Sequence, residues 1–317
     1  AINMVTRKLG TMKLRSSVMN EDMISSAELS RAACCNLGES FVTNPSVDVS
    51  YSDAATGAKQ IKLLGLSGTY VQMLTENIPN YRGAAAPYGL GYVPGPWMQS
   101  IQVSKGTSSV KNGYEAITGQ INVEFKKPQL PEADWVSANL FASTTNRYEA
   151  NADATLKLSK RWSTSLLAHY ENETKAHDGN DDGFVDIPQV EQYNVWNRWA
   201  YMGDHYVFQA GIKALSETRT SGQANHGGTM HSGDLYKVGI DTERYEFFTK
   251  NAYIFNKEKN TNLALILSTT LHNQDATYGR KLYNVDQTNV YASLMFETEF
   301  NPQNSFSAGL SFNYDAY

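Results

Sequence analysis

Tyr148-Glu149-Ala150-Asn151-Ala152-Asp153-Ala154-Thr155-Leu156-Lys157-Leu158 alternates apolar and polar residues without a break. Successive side chains of a strand point to opposite sides, so Tyr148, Ala150, Ala152, Ala154, Leu156 and Leu158 share one face. Glu149, Asn151, Asp153, Thr155 and Lys157 share the other. The stretch reads as a β-strand with one apolar side and one wet side. A soluble sandwich has strands of the same kind, so this one segment does not choose between water and membrane.

Its neighbours do. Further strands are expected at Trp135 to Thr145, Trp162 to Glu171, Asn194 to Tyr201, Tyr206 to Glu217, Tyr236 to Phe255, Leu263 to His272, Val290 to Phe300 and Ser305 to Tyr317. Several are longer than the ~5–6 residues usual in globular strands and reach the ~9–11 that cross a bilayer at a tilt. Connection lengths alternate too. Ser159-Lys160-Arg161, Gly203-Asp204-His205, 256–260 and 301–304 are short, whereas 172–193, 218–235 and 273–287 are long. Tight turns at one rim and large loops at the other are the asymmetry of an outer-membrane barrel. The turn near Asn146-Arg147 is a short connection on the long side. A closed bacterial barrel has an even number of strands, so an odd count that stops in alternating aromatic sequence is expected of a fragment.

Composition agrees. The 317 residues are 41% hydrophobic yet include 19 Tyr, 12 Phe and 5 Trp, which suits β-structure with two unlike faces. A net charge of -5 supplies no basic stripe to replace phosphate counterions, which excludes nucleic-acid binding. No run approaches the ~18–20 apolar residues of a transmembrane helix. Ala1 is not followed by a secretory signal pattern, so any signal is expected to have been removed or to lie upstream. The adjacent Cys34 and Cys35 suit small buried thiols better than a redox or metal pair, since vicinal cysteines bridge poorly and lack zinc-ligand spacing.

From about Met19 to Lys127 the texture is irregular. Ser25 and Ser26 precede the helix formers Ala27 to Ala33 as a plausible N-cap. Short strands are expected at Lys59 to Leu64, Tyr70 to Glu76, Ser100 to Lys105 and Gly119 to Phe125, separated by Gly- and Pro-rich loops.

Read in order, this region resembles the plug domain of TonB-dependent receptors. The residues that carry the resemblance are Leu37 to Val47, ending in a "P-x-V", then Gln60 to Leu66, then Val71 to Pro79 as "V-x-x-L-x-x-x-x-P". Met98 to Gly106 and Tyr114 to Val123 close it. Members often read "D-G-V-P" where this chain has Glu76-Asn77-Ile78-Pro79, and Arg-Gly where it has Lys105-Gly106. The resemblance implies a mixed α/β plug domain followed by antiparallel transmembrane β-barrel strands, as part of a 22-stranded barrel in the bacterial outer membrane. It divides the chain into an N-terminal segment (1–18), a plug (19–128) and barrel strands (129–317). It implies a non-enzymatic importer of a scarce nutrient (a metal chelate or siderophore, cobalamin, haem or a metal ion), energised by the TonB complex, and leaves open a surface lipoprotein as its cap. No TonB box is evident in Ala1 to Val18. The rival readings are a passive porin or adhesin, an outer-membrane hydrolase, for which no nucleophile and base are found, and a soluble β-protein.

Two loops carry metal-ligand chemistry. In 178–186, Asp178, Asn180, Asp182 and Asp186 fall at positions 1, 3, 5 and 9 of an EF-hand-type loop, with Phe184 offering its carbonyl at position 7 and Gly183 at 6. Position 12 is Gln189 in place of the bidentate Glu, and a solvated acidic turn remains the alternative to calcium. His226, Met230 and His231 would suit a soft metal or haem, although their glycines also suit a mobile loop. In the plug, Tyr81, Arg82, Tyr88, Tyr92 and Trp97 offer stacking and hydrogen bonding to a ligand, or else pack plug against wall.

Overall fold

The structure, a computed structural model, describes residues 20–26, 28–29, 35–41, 47–106, 113, 115–128, 136–224, 235–301 and 303–317. In the first region β1 (Asn20–Ser25), β4 (Val71–Thr75), β5 (Ile78–Pro79), β6 (Met98–Lys105) and β7 (Gly119–Phe125) form a five-stranded sheet in the order β1-β6-β7-β4-β5. Only β4 and β7 run parallel. A separate hairpin joins β2 (Val47–Asp53) to β3 (Ala58–Leu63). Leu37, Phe41, Leu63, Ile101, Val103, Ile121 and Val123 make a fully buried core between them.

Helix plays a small part among the described residues. Ser25 is the N-cap expected, because both its N–H and its hydroxyl donate to Glu28 Oε2, at 2.7 and 3.1 Å. Ser26, Glu28 and Leu29 are helical, and the rest of the expected helix lies outside the described residues. Four single-turn 3-10 segments complete the helical content. The described plug is therefore built of strands and turns more than as the α/β mixture expected. The edge strands β1 and β2 are additions to the expectation.

The second region is one antiparallel sheet in chain order: β8 (Val136–Ala142), β9 (Arg147–Lys157), β10 (Trp162–Glu173), β11 (Gln189–Met202), β12 (Tyr206–Gly222), β13 (Lys237–Asn256), β14 (Thr261–Tyr278), β15 (Lys281–Asn301) and β16 (Asn304–Ala316). Its nine strands correspond one to one with those expected. One connection differs. Residues 273–287, expected as a long loop, are strand on both sides of a tight turn at Gly279-Arg280, in register from Asn273 opposite Asp286 to Tyr278 opposite Lys281. The turn needs a left-handed residue, and Gly279 supplies it at φ 61°.

Along most of β10 to β14 every second residue is buried against the plug, and the intervening ones face out. The outward residues near the short turns are apolar: Ile212 is 63% exposed, and Val195, Phe247, Leu267, Leu294 and Leu310 are exposed with it. Tyr201, Tyr206, Tyr253 and Trp162 edge this band near the short-turn rim. Toward the other rim the outward residues turn polar, as in Ser216, Thr218 and Thr220 of β12 and Asp241 and Glu243 of β13. Exposed aliphatics rimmed by aromatics on a sheet whose other face is covered are what a bilayer requires of a barrel wall. No helix among the described residues is long and apolar enough to cross a membrane.

Gly119 opens β7 at φ 156°, where a Cβ would collide with the Ser104 carbonyl of β6 and press on Leu63. Backbone cannot move aside cheaply, so Gly119→Ala is expected to cost more than about 1 kcal/mol. Gly239→Ala, where a Cβ meets nothing within 4 Å, is expected to stay within about 0.5 kcal/mol. Thermal unfolding of the two purified variants in detergent checks this: equal melting temperatures would contradict it.

Candidate functional site

The plug touches the wall through charges that the strands aim inward. The lowest contact, toward the short-turn rim, begins at the β4–β5 turn, where Glu76 and Asn77 both have left-handed backbones, at φ 51° and 65°. Two such residues in sequence match the twist of a hairpin, at a cost for a residue like Glu. Asn77 N–H donates to Asn122 Oδ1 at 2.8 Å and Glu76 N–H to the Val123 carbonyl at 2.9 Å, which pins the turn on β7. The Glu76 carboxylate is thereby delivered to Arg198 of β11 at 2.7 Å and Lys250 of β13 at 3.2 Å. Burial alone pushes this carboxyl up, but the two cations outweigh it and hold it far below the usual carboxylate range.

Higher up, Glu246 of β13 accepts from Arg244 Nε at 2.8 Å and from Asn80 Nδ2 at 2.8 Å, with Lys213 of β12 at 3.5 Å. Arg244 also donates to Asn80 Oδ1. Lys213 reaches Tyr81 Oη at 3.1 Å and the Tyr92 carbonyl at 3.2 Å. Burial raises the Tyr81 phenol well above its ordinary value, so it stays neutral between the two cations stacked on its ring.

At the rim that bears the longer connections, a cavity of about 220 Å³ opens between plug and wall. Among the described residues its lining sets three cations, Lys59, Arg147 and Arg219, against four carboxylates, Glu39, Glu171, Glu173 and Glu217. Arg147 binds Glu39 of the plug at 2.8 Å and Glu149 and Glu171 of the wall at 2.8 and 3.0 Å. Burial works against the charged form of Glu39, and Arg147 reverses this, leaving its carboxyl below its ordinary value. Lys59 is lowered, chiefly by burial. The cavity is thus charged of both signs, with Tyr51, Leu90, Phe141, Ile187 and Val190 supplying apolar wall beside the charges. The Oε1 of buried Gln192 lies in its lining without a protein partner. Cys35 also borders it, and burial with the nearby Glu149 charge raises its thiol, in keeping with an inert, buried group.

The structure distributes the residues singled out from sequence. Tyr81, Tyr88, Tyr92 and Trp97 are buried between plug and wall; Trp97 lies 6.2 Å from Trp196 of β11, which meets Phe125 edge-on at 4.7 Å. Of these four only Tyr88 borders the cavity, under Arg219 at 5.0 Å. Arg82 is held by Glu115 at 2.5 Å and Asp315 of β16 at 2.9 Å. In the loop 178–186, Asp178 accepts from the amides of Asp182 and Gly183 at 3.2 and 2.8 Å, Asn180 and Asp182 accept from the amides of Asp182 and Phe184, and Asp186 from that of Gly179. Among the described residues no three acidic, His or Cys side chains converge in a metal-holding group. His226, Met230 and His231 lie outside the described residues. Glu76, Arg147, Arg198, Arg219 and Lys250 were not foreseen, although charges at inward positions of alternating strands were a signal for the last four.

A model of the TonB-dependent Receptor Plug Domain family matches residues 13–120. The chain carries a TonB-dependent receptor plug domain. A comparison with curated proteins finds no match. Solved structures match the plug and the strands together. The siderophore receptor PiuA from Acinetobacter baumannii superposes with a TM-score of 0.71 at 12% identity, over 94% of this chain and 45% of its own. The ferric-catecholate import receptor Fiu from E. coli K12, in its open form, gives 0.70 at 15%, over 94% and 49%. The alcaligin outer membrane receptor FauA from Bordetella pertussis gives 0.71 at 12%, over 95% and 48%. This chain spans about half the length of these structures, and the likeness establishes the fold: a plug with antiparallel strands like those of TonB-dependent barrels.

Glu76→Gln leaves Arg198 and Lys250 of the wall without their plug counter-ion in a buried setting, and is expected to cost about 3–5 kcal/mol. In the parent protein the lowered Glu76 carboxyl makes its contribution fully present above the ordinary value near 4.5 and lost only as pH falls through the lower folded value. Melting curves from pH 7 down to about pH 3 should therefore show the parent losing stability below about pH 4.5 and Glu76→Gln, which has no carboxyl to protonate there, losing less. A variant as stable as the parent would remove Glu76 from this role.

Proposed function

We propose that the chain is the plug and adjoining wall of an outer-membrane receptor that imports an iron chelate with energy delivered by TonB. The observation that carries the reading is the plug domain seated on the covered face of a sheet whose other face is apolar and exposed. The names of the matched structures, siderophore receptor and ferric-catecholate import receptor among them, point to iron chelates ahead of cobalamin, haem or a bare metal ion. The nine strands are then part of a 22-stranded barrel, with the short turns in the periplasm and the longer connections outside. The charged cavity at the outer rim receives the polar parts of the chelate. A passive porin is the second reading, and the plug's buried ion pairs to the wall weigh against it, since a permanently open pore has no use for them.

Uptake of labelled ferric chelates, haem and cobalamin by the parent cells, with and without the full-length receptor and with TonB disabled, tests this. Loss of ferric-chelate uptake in both cases is the expected result. Uptake indifferent to TonB would favour the passive barrel.

Calcium at residues 178–186 stands as a proposal carried by ligand spacing; binding requires Asp178, Asp182 and Asp186 to turn from the loop's amides to the ion. Terbium luminescence sensitised in this loop, competed by calcium and abolished by Asp178→Asn with Asp182→Asn, is expected. Identical signal from parent and variant would dismiss the site.

A further inference from the structure

The inward faces of β11, β12 and β13 carry five cations, Arg198, Lys213, Arg219, Arg244 and Lys250, against two carboxylates, Glu217 and Glu246, among the described residues. Strand register sets their heights. Lys250 is level with Gln209, Arg198 with Gly211 and Arg244 with Leu215, so on the scale of β12 the cations stand at 209, 211, 213, 215 and 219. Ten residues at ~3.3 Å each make a stripe about 33 Å long, running from the cavity down to the Glu76 turn.

What these cations hold is as informative as where they are. Arg198 donates to the Lys126 carbonyl at 2.8 Å, Lys250 to the Glu76 carbonyl at 2.8 Å, Lys213 to the Tyr92 carbonyl at 3.2 Å and Arg219 to the Thr56 carbonyl at 3.1 Å. A carbonyl satisfies a donor but cancels no charge. The plug contributes one carboxylate to this wall, Glu76, so the stripe keeps a net positive potential while the plug is seated and gains more when the plug withdraws. The adjacent strands β9 and β10 have the opposite sign: Glu149, Asp153, Glu171 and Glu173 share the inward face with two cations, Arg147 and the exposed Lys157 at the short-turn end.

We propose that the inward face of β11–β13 is an anion track, and that the imported chelate is anionic and descends between this wall and the plug. The inference rests on the importer reading and adds the charge of the cargo and the side of the barrel it passes. The stripe attracts an anion along its whole length, the acidic face of β9 and β10 turns it away, and each cation can exchange a neutral plug carbonyl for a cargo oxygen at little loss.

The test needs no knowledge of the cargo. Thr242 faces inward on β13, two residues from Arg244. Thr242→Cys is made in the full-length receptor with Cys34→Ser and Cys35→Ser, in its parent cells, with retained chelate uptake as the control for folding. Labelling rates, each divided by that reagent's rate with a small free thiol, are compared for an anionic sulfonatoethyl and a cationic trimethylammonioethyl methanethiosulfonate, with TonB active and disabled. The expected result is labelling that depends on TonB, about tenfold faster for the anionic reagent, with the ratio falling toward one when Lys213→Gln and Arg219→Gln are added. Equal rates, or a faster cationic reagent, would overturn the track. So would absence of labelling in cells that still import by way of TonB, because this wall would then not be the path. Labelling unchanged by disabling TonB, together with TonB-independent uptake, would overturn the importer reading as well.

Discussion

A guanidinium or ammonium turned into a lumen filled by protein has no water to solvate it, and must find its hydrogen bonds on whatever fills that lumen. Arg198, Lys213, Arg219, Arg244 and Lys250 impose this condition on the plug. Each finds an acceptor at a fixed height, so the plug has one seating in which all are satisfied. The Glu76 turn, the Asn80–Tyr81 corner and the Thr56 carbonyl of the β2–β3 hairpin are the plug's answers, at three levels of one wall. Moving the plug by a fraction of a strand residue breaks several of these contacts together. The seating is thus specified by charge as well as by shape.

The same contacts are also reversible in a way that an apolar interface is not. Parting Trp97 and Phe125 from Trp196 exposes apolar surface to the water that enters, whereas cations bound to carbonyls are re-solvated by it. The left-handed pair Glu76 and Asn77 stores backbone strain at the point where the deepest ion pairs attach.

Much of the wall was legible in the amino-acid order, because a barrel strand must alternate wherever one face meets lipid and the other protein. That constraint fades beyond the membrane. Asn273, Asp275 and Thr277 face out but are polar, so the alternation that reveals β14 lower down disappears and the segment reads as loop. In the plug, β1 and β2 are short, polar edge strands held by pairing with β6 and β3, a tertiary effect that no local pattern announces. The site was legible by residue type and not by partner. Tyr81, Tyr92 and Trp97 stand out as aromatic in a Gly- and Pro-rich loop, but whether they meet ligand or wall depends on the plug's depth in the lumen. Arg147 joins Glu39, 108 positions earlier in the chain, and only the folded register makes that contact.

β13 is 20 residues long and β15 is 21. At ~3.3 Å per residue and a tilt near 45°, a strand of that length rises roughly 45–50 Å, about twice the ~25 Å apolar band of an outer-membrane barrel. In a receptor of this kind the surplus, with its polar outer surface, stands as a collar above the lipid, at the height of the sugars that coat such membranes. On the proposed importer reading, cargo would therefore enter a protein-walled well before it reached the bilayer.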